Sequence, residues 1–134
     1  MKKLIRINEQ SNIDFGDYTL SEKNKDNIIH NEYEYKLKTF KDVTRLERDE
    51  LLIYESVPGT YVENFSYRSD EISFMASGND TASIIIGVNQ DSKFSLTIDD
   101  KFYPETAFIS PGKLNINLNF NKENKVKVVL TKIN

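Results

Sequence analysis

The sequence predicts an all-β fold: a single antiparallel β-sandwich, jelly-roll or immunoglobulin-like, over residues 1–134, with a β-prone N-terminal arm. Three observations carry this. Apolar residues recur at every second position in many short runs, the period of a strand with one buried face. Polar turn signals separate these runs at regular spacing, and about eight to ten such strands read as a sandwich or barrel. No strand–helix–strand alternation appears, so a nucleotide-binding α/β sheet is excluded.

The elements follow in order. Lys2-Lys3-Leu4-Ile5-Arg6-Ile7 is a short β-prone segment, which either pairs within its own sheet or adds to a neighbour's. Residues 8–31 are polar and read as loops around one strand, Asp17 to Lys23, so 1–27 is an arm with loops. Tyr33, Tyr35 and Leu37 alternate with charged residues and read as a strand. Residues 41–55 are ambiguous. Val43, Leu46 and Tyr54 fit a helical face, but Leu51-Leu52-Ile53-Tyr54 favours a strand and Arg48-Asp49-Glu50 a turn, so a hairpin is the preferred reading.

Pro58-Gly59 marks a turn, after which Tyr61, Phe65 and Tyr67 are expected to share a face. Ile72, Phe74 and Ala76 form the next run, closed by Ser77-Gly78-Asn79-Asp80. Ala82, Ile84, Ile86 and Val88 lie on one face with Ile85 on the other, the mark of a central strand. Phe94, Leu96 and Ile98 lead through Asp99-Asp100 into Lys101-Phe102-Tyr103. Leu114, Ile116, Leu118 and Phe120 alternate with asparagines, and Val126, Val128 and Leu130 with lysines. The segment 121–124 between them has hairpin length, so a C-terminal hairpin is expected.

Composition limits the chemistry. The 21 acidic residues outnumber the 18 basic ones, giving a net charge of -3, which argues against a nucleic-acid partner. There is no cysteine, no tryptophan and one histidine, which removes disulfide frameworks, cysteine nucleophiles and most zinc sites. No apolar run is long enough for a signal core or a membrane span, so no membrane partner is expected and the location reads as cytoplasmic or virion-associated. Lysine outnumbers arginine 14 to 4, and asparagine and isoleucine occur 14 times each, a bias that fits an AT-rich bacterial genome or its phage.

No catalytic residue, cofactor or metal is assigned. His30 reads as a solvated strand-end residue without a Gly-x-Ser-x-Gly elbow beside it. The pairs Asp14/Asp17 and Asp99/Asp100 are the candidates for glycoside chemistry, but aspartate is also the residue that turns favour. Asn79-Asp80 and Asn89-Gln90-Asp91 lie at opposite ends of one strand and share no ion. The binding candidates are Tyr33, Tyr35, Tyr61 and Tyr67 as aromatic surface, and Asn115, Asn117 and Asn119 as a flat uncharged row. Leu4, Ile5 and Ile7 are the candidates for edge assembly.

The stretch Lys38-Thr39-Phe40-Lys41-Asp42-Val43-Thr44-Arg45-Leu46-Glu47-Arg48 recommends a comparison. With Leu52-Ile53-Tyr54-Glu55-Ser56-Val57-Pro58-Gly59-Thr60, Asn64-Phe65 and Gly112-Lys113-Leu114, it resembles short uncharacterised β-rich proteins of anaerobic low-GC Gram-positive bacteria, over most of the chain. Some of these carry an endosialidase-like label, which implies sialic-acid hydrolysis. The chain lacks a Ser-x-Asp-x-Gly-x-Thr-Trp box and is too short for a propeller, so the resemblance transfers no functional residue. The expected function is a non-enzymatic structural or assembly module acting through protein–protein contact, as a homo-oligomer or on another protein. The alternative is a carbohydrate-binding module, and the third reading a small glycoside-acting enzyme.

Overall fold

The computed structural model describes residues 3–120 and 125–133. Two antiparallel seven-stranded sheets pack face to face as a β-sandwich. The first sheet has the order β1 (Ile5–Ile7), β2 (Ile13–Phe15), β7 (Tyr61–Tyr67), β8 (Glu71–Ser77), β14 (Val126–Lys132), β10 (Phe94–Ile98), β11 (Lys101–Tyr103). The second has the order β12 (Ala107–Ser110), β13 (Lys113–Asn119), β9 (Thr81–Gly87), β6 (Leu51–Val57), β5 (Val43–Arg48), β4 (Tyr33–Phe40), β3 (Asn24–His30). Among the described residues no helix is long and apolar enough to cross a membrane.

One contiguous core fills the space between the sheets, built by the alternation in the sequence. Phe15, Tyr54, Phe65 and Phe74 form its aromatic centre, with rings 5.2–5.9 Å apart and mostly edge to face. Beside it, hydroxyls replace apolar packing. Tyr54 Oη lies 2.7 Å and Ser56 Oγ 2.8 Å from Thr60 Oγ1. Thr44 Oγ1 donates to the Thr60 carbonyl, accepts from the Thr60 amide, and lies 2.8 Å from Thr39 Oγ1. Thr39, Thr44, Ser56 and Thr60 are fully buried, and the network gives these polar groups the partners that burial demands.

Several expectations hold. Residues 43–57 form the β5–β6 hairpin, and β10 and β11 pair through Asp99-Asp100. The β9 strand is central, between β13 and β6. The β-prone N-terminal segment is β1, paired with β2 within the chain's own sheet.

Others are corrected. The described residues form fourteen strands, because short strands such as β2 and β12, of three and four residues, escape a reading by period. The segment Asp17 to Lys23 is not a strand. The strands lie on either side of it, at Ile13–Phe15 and Asn24–His30, so the presumed arm contributes strands to both sheets. The C-terminal hairpin does not form: β13 pairs with β9 and β12, while β14 pairs with β8 and β10 in the opposite sheet. Alternation fixes which face of each strand is buried, not which strand lies beside it. The intervening 121–124 lies outside the described residues. Finally, Tyr61 does not share the face of Phe65 and Tyr67. A bulge at Asn64, with φ 54°, inserts a residue, and Val62 rather than Tyr61 turns inward.

Candidate functional site

The site is built at one end of the sandwich, where the inward faces of three strands run out. Strand β4 begins with Tyr33 after a two-residue turn at Asn31-Glu32. Strand β5 ends with Arg48 before a second turn at Asp49-Glu50. All four turn residues have positive φ (50°, 71°, 49° and 70°), the backbone of type I′ hairpin turns. The turns are latched, since the Glu34 amide donates to Asp49 Oδ1 and the Asp49 amide to the Glu34 carbonyl, both at 2.8 Å. Arg48 is opposite Tyr35 in the ladder, so Tyr33 is its diagonal neighbour.

The alternation of β5 puts Arg48 on the same side as buried Leu46 and Thr44, but at the last position, where the core opens. Its guanidinium carbon lies 4.0 Å from the centroid of the Tyr33 ring and 4.8 Å from that of Tyr67, which ends β7 on the facing sheet. Tyr67 stacks on Phe65 and donates its hydroxyl to the Gly87 carbonyl, tying the two sheets together. Burial raises the Tyr67 phenol above its ordinary value. Arg48 works against that shift and Tyr35 with it.

Two clefts flank this ridge. One, of about 430 Å³, lies between the β7–β8 and β9–β10 connections and is lined by Tyr33, Arg48, Tyr67, Arg68 and Ser92 among others. The second, of about 470 Å³, lies on the other side of Arg48 and Tyr67, toward Leu51 and Gly112. No hydrogen bond or ion pair from a described residue engages the Arg48 guanidinium. The first cleft has no carboxylate in its lining.

A larger hollow, of about 580 Å³, lies at the other end of β7 and contains Tyr61, Arg6, Asp14 and Lys3. Its charges neutralise one another. Asp14, 5 % exposed, takes Arg6 at 3.0 Å, the Asn8 side-chain amide at 2.9 Å and the Asn64 amide at 2.9 Å. Glu63 takes Lys125 at 2.7 Å, and Lys3 lies 3.5 Å from Asp26. Burial, then the charges of Asp14 and Glu63, raise the Tyr61 phenol, against the pull of Arg6. These groups are engaged with one another across β1, β2, β3, β7 and the approach to β14, whereas among the described residues the Arg48 guanidinium is engaged by rings alone.

The sequence candidates are thus scattered. Tyr33 and Tyr67 come together on Arg48. Tyr35 is buried, its ring 6.5 Å from that of Tyr33, and Tyr61 is at the far end, so the four tyrosines make no common platform. Asn115, Asn117 and Asn119 lie on the outward face of β13, opposite Ile85, Ser83 and Thr81, and Asn115 donates to Ser83 Oγ at 2.9 Å. Of the assembly candidates, Ile5 lies in the chain's own core and offers nothing to a neighbour. Leu4 is half-buried, and Ile7 is 37 % exposed. His30 ends β3, its Nε2 3.2 Å from the Ser11 carbonyl. Asp99 accepts the Lys127 amide at 3.0 Å.

Arg48, Arg68 and Ser92 were not among the candidates drawn from the sequence. The signal was the lysine bias: an arginine kept against it marks a place where the planar fork matters. Each of the four has a specific partner: Asp14 for Arg6, Glu47 and Glu55 for Arg45, two tyrosines for Arg48, Glu71 for Arg68. No family model, no curated protein and no solved structure matches the chain.

Proposed function

We propose that the chain is a non-enzymatic structural or assembly module that acts through protein–protein contact, with further copies of itself against its sheet edges. One observation carries this reading: each of the four outermost strands bears exposed apolar side chains. They are Ile7 on β1, Ile29 on β3, Phe102 on β11, and Phe108 with Ile109 on β12. Edge strands offer unpaired backbone donors and acceptors, and soluble proteins ordinarily guard them with charge. Here β1 and β3 form one flank, joined where the Leu4 amide donates to Asp26 at 3.0 Å, and β11 and β12 are the edges away from it. Contact between unlike flanks closes a ring or grows a filament, and contact between like flanks gives a dimer.

Light scattering across micromolar concentrations tests this. A multimer is expected, reduced to monomer by Ile29→Lys or Phe108→Lys. A strict monomer at all concentrations overturns it.

A second reading, a carbohydrate-binding module, is favoured by Tyr33, 40 % exposed beside an open cleft and an arginine without an ion pair among the described residues. Binding of any saccharide, lost on Tyr33→Ala, is its expected result.

A further inference from the structure

We infer that the cleft beside Arg48, between the β7–β8 and β9–β10 connections, binds a saccharide bearing a carboxylate, such as a uronate. The inference rests on the carbohydrate reading and gives it a chemical class.

The chain carries a net charge of -3, yet this cleft holds two of its four arginines and no carboxylate. Arg68 has only a distant, exposed partner, Glu71 at 3.6 Å. Arg48 has none among the described residues. The rings of Tyr33 and Tyr67 lie against its guanidinium, so water is excluded from part of it while its N–H donors keep no acceptor among the described residues. A planar fork held in place by two rings is prepared for the two oxygens of one carboxylate.

The rest of the lining suits a sugar ring. Ile72 and Phe94 supply an apolar wall, Ser69 and Ser92 supply hydroxyls, and Ser92 is only 6 % exposed. Tyr33, 40 % exposed, adds aromatic surface at the cleft. A volume of about 430 Å³ lies within the range of small-ligand sites. An extended acidic peptide fits less well. The cleft lies among turns at the strand ends, so no sheet edge is available there to pair with a peptide backbone.

The test exploits the four arginines, whose Nε–Hε signals are few enough to assign by single substitutions in nitrogen-15-labelled protein. The probes are D-glucuronate, D-glucose and acetate at matched ionic strength. Glucuronate is expected to move the Arg48 signal saturably, leaving those of Arg6 and Arg45, which carboxylates already hold. Glucose and acetate are expected to bind more weakly than glucuronate by roughly tenfold, as is glucuronate to Arg48→Lys, which keeps the charge but loses the fork. Unchanged backbone amide spectra identify a folded variant.

Equal binding of glucose and glucuronate overturns the acidic class while leaving the carbohydrate reading. Acetate binding as well as glucuronate overturns the saccharide. No binding of either sugar overturns both, as does full affinity in Arg48→Lys for the role of the fork.

Discussion

The hydroxyl oxygens of Tyr54 and Thr60 lie 2.7 Å apart inside the sandwich, and Thr60 Oγ1 is shared with Ser56 at 2.8 Å. Thr60 is therefore the hub, and removing its hydroxyl takes a partner from two buried hydroxyls at once. Tyr54→Phe removes one contact and is expected to lower unfolding free energy by about 1 kcal/mol. Thr60→Val is expected to lower it by about 2–3 kcal/mol. Urea denaturation with an unchanged slope measures both. Equal losses would show that Thr60 is no hub.

The same network has a signature at high pH. Burial raises the Tyr54 phenol well above its ordinary value of 10, against the lowering effect of Thr60 and Ser56. Burial also raises Tyr67, with Arg48 opposing. A phenol whose folded pKa exceeds the unfolded one adds stability that is complete below pH 10 and lost as the pH climbs toward the folded value. Stability should thus fall above pH 10, and Tyr54→Phe should flatten the fall. Absorbance at alkaline pH should show Tyr54 ionising only with unfolding.

Acid acts at the opposite flank. Burial alone would raise Asp26, but the amides of Leu4 and Asn27 and the Lys3 ammonium outweigh it and hold the carboxyl below its ordinary 3.8. A depressed folded pKa adds stability above 3.8, lost as the pH falls through the lower folded value. The Leu4 amide should then exchange faster with solvent as acid protonates Asp26. Asp26→Asn should shrink the pH dependence of stability in that window, and an unchanged profile would refute the assignment.

Gly16 and Gly87 admit no side chain. Gly16 has φ 97°, and a Cβ there would meet the Thr60 carbonyl oxygen. At Gly87 a Cβ would meet the Leu52 carbonyl of β6, the strand beside it. Alanine at either position is expected to destabilise by about 2–3 kcal/mol, through backbone strain at the first and forced strand separation at the second. Thermal melts of the two variants check this. Gly87→Ala should also displace the carbonyl that receives the Tyr67 hydroxyl.

What the sequence made legible was local. Period-two runs located β8, β9, β10, β13 and β14 because burial of one face is written in each strand by itself. Bulges were not legible. In β6 the extra residue turns both Ile53 and Tyr54 inward, which explains the unbroken apolar run Leu51–Tyr54. In β7 the bulge at Asn64 moved Tyr61 away from Tyr67. Partners across space were equally hidden. Arg48 reads as one more charge in Glu47-Arg48-Asp49-Glu50, and only the facing β7 shows that it meets Tyr67 rather than water.

The separation of β13 from β14 bears on how the protein is made. The last described strand is not added to an edge. It lies between β8 and β10, in the middle of its sheet. Until residues 126–132 leave the ribosome, β10 and β11 have no ladder to join, and the inward face of β8 lacks its neighbour. Much of this sheet must therefore wait until residues 126–132 have been made, and until then β8 and β10 each keep one unpaired edge.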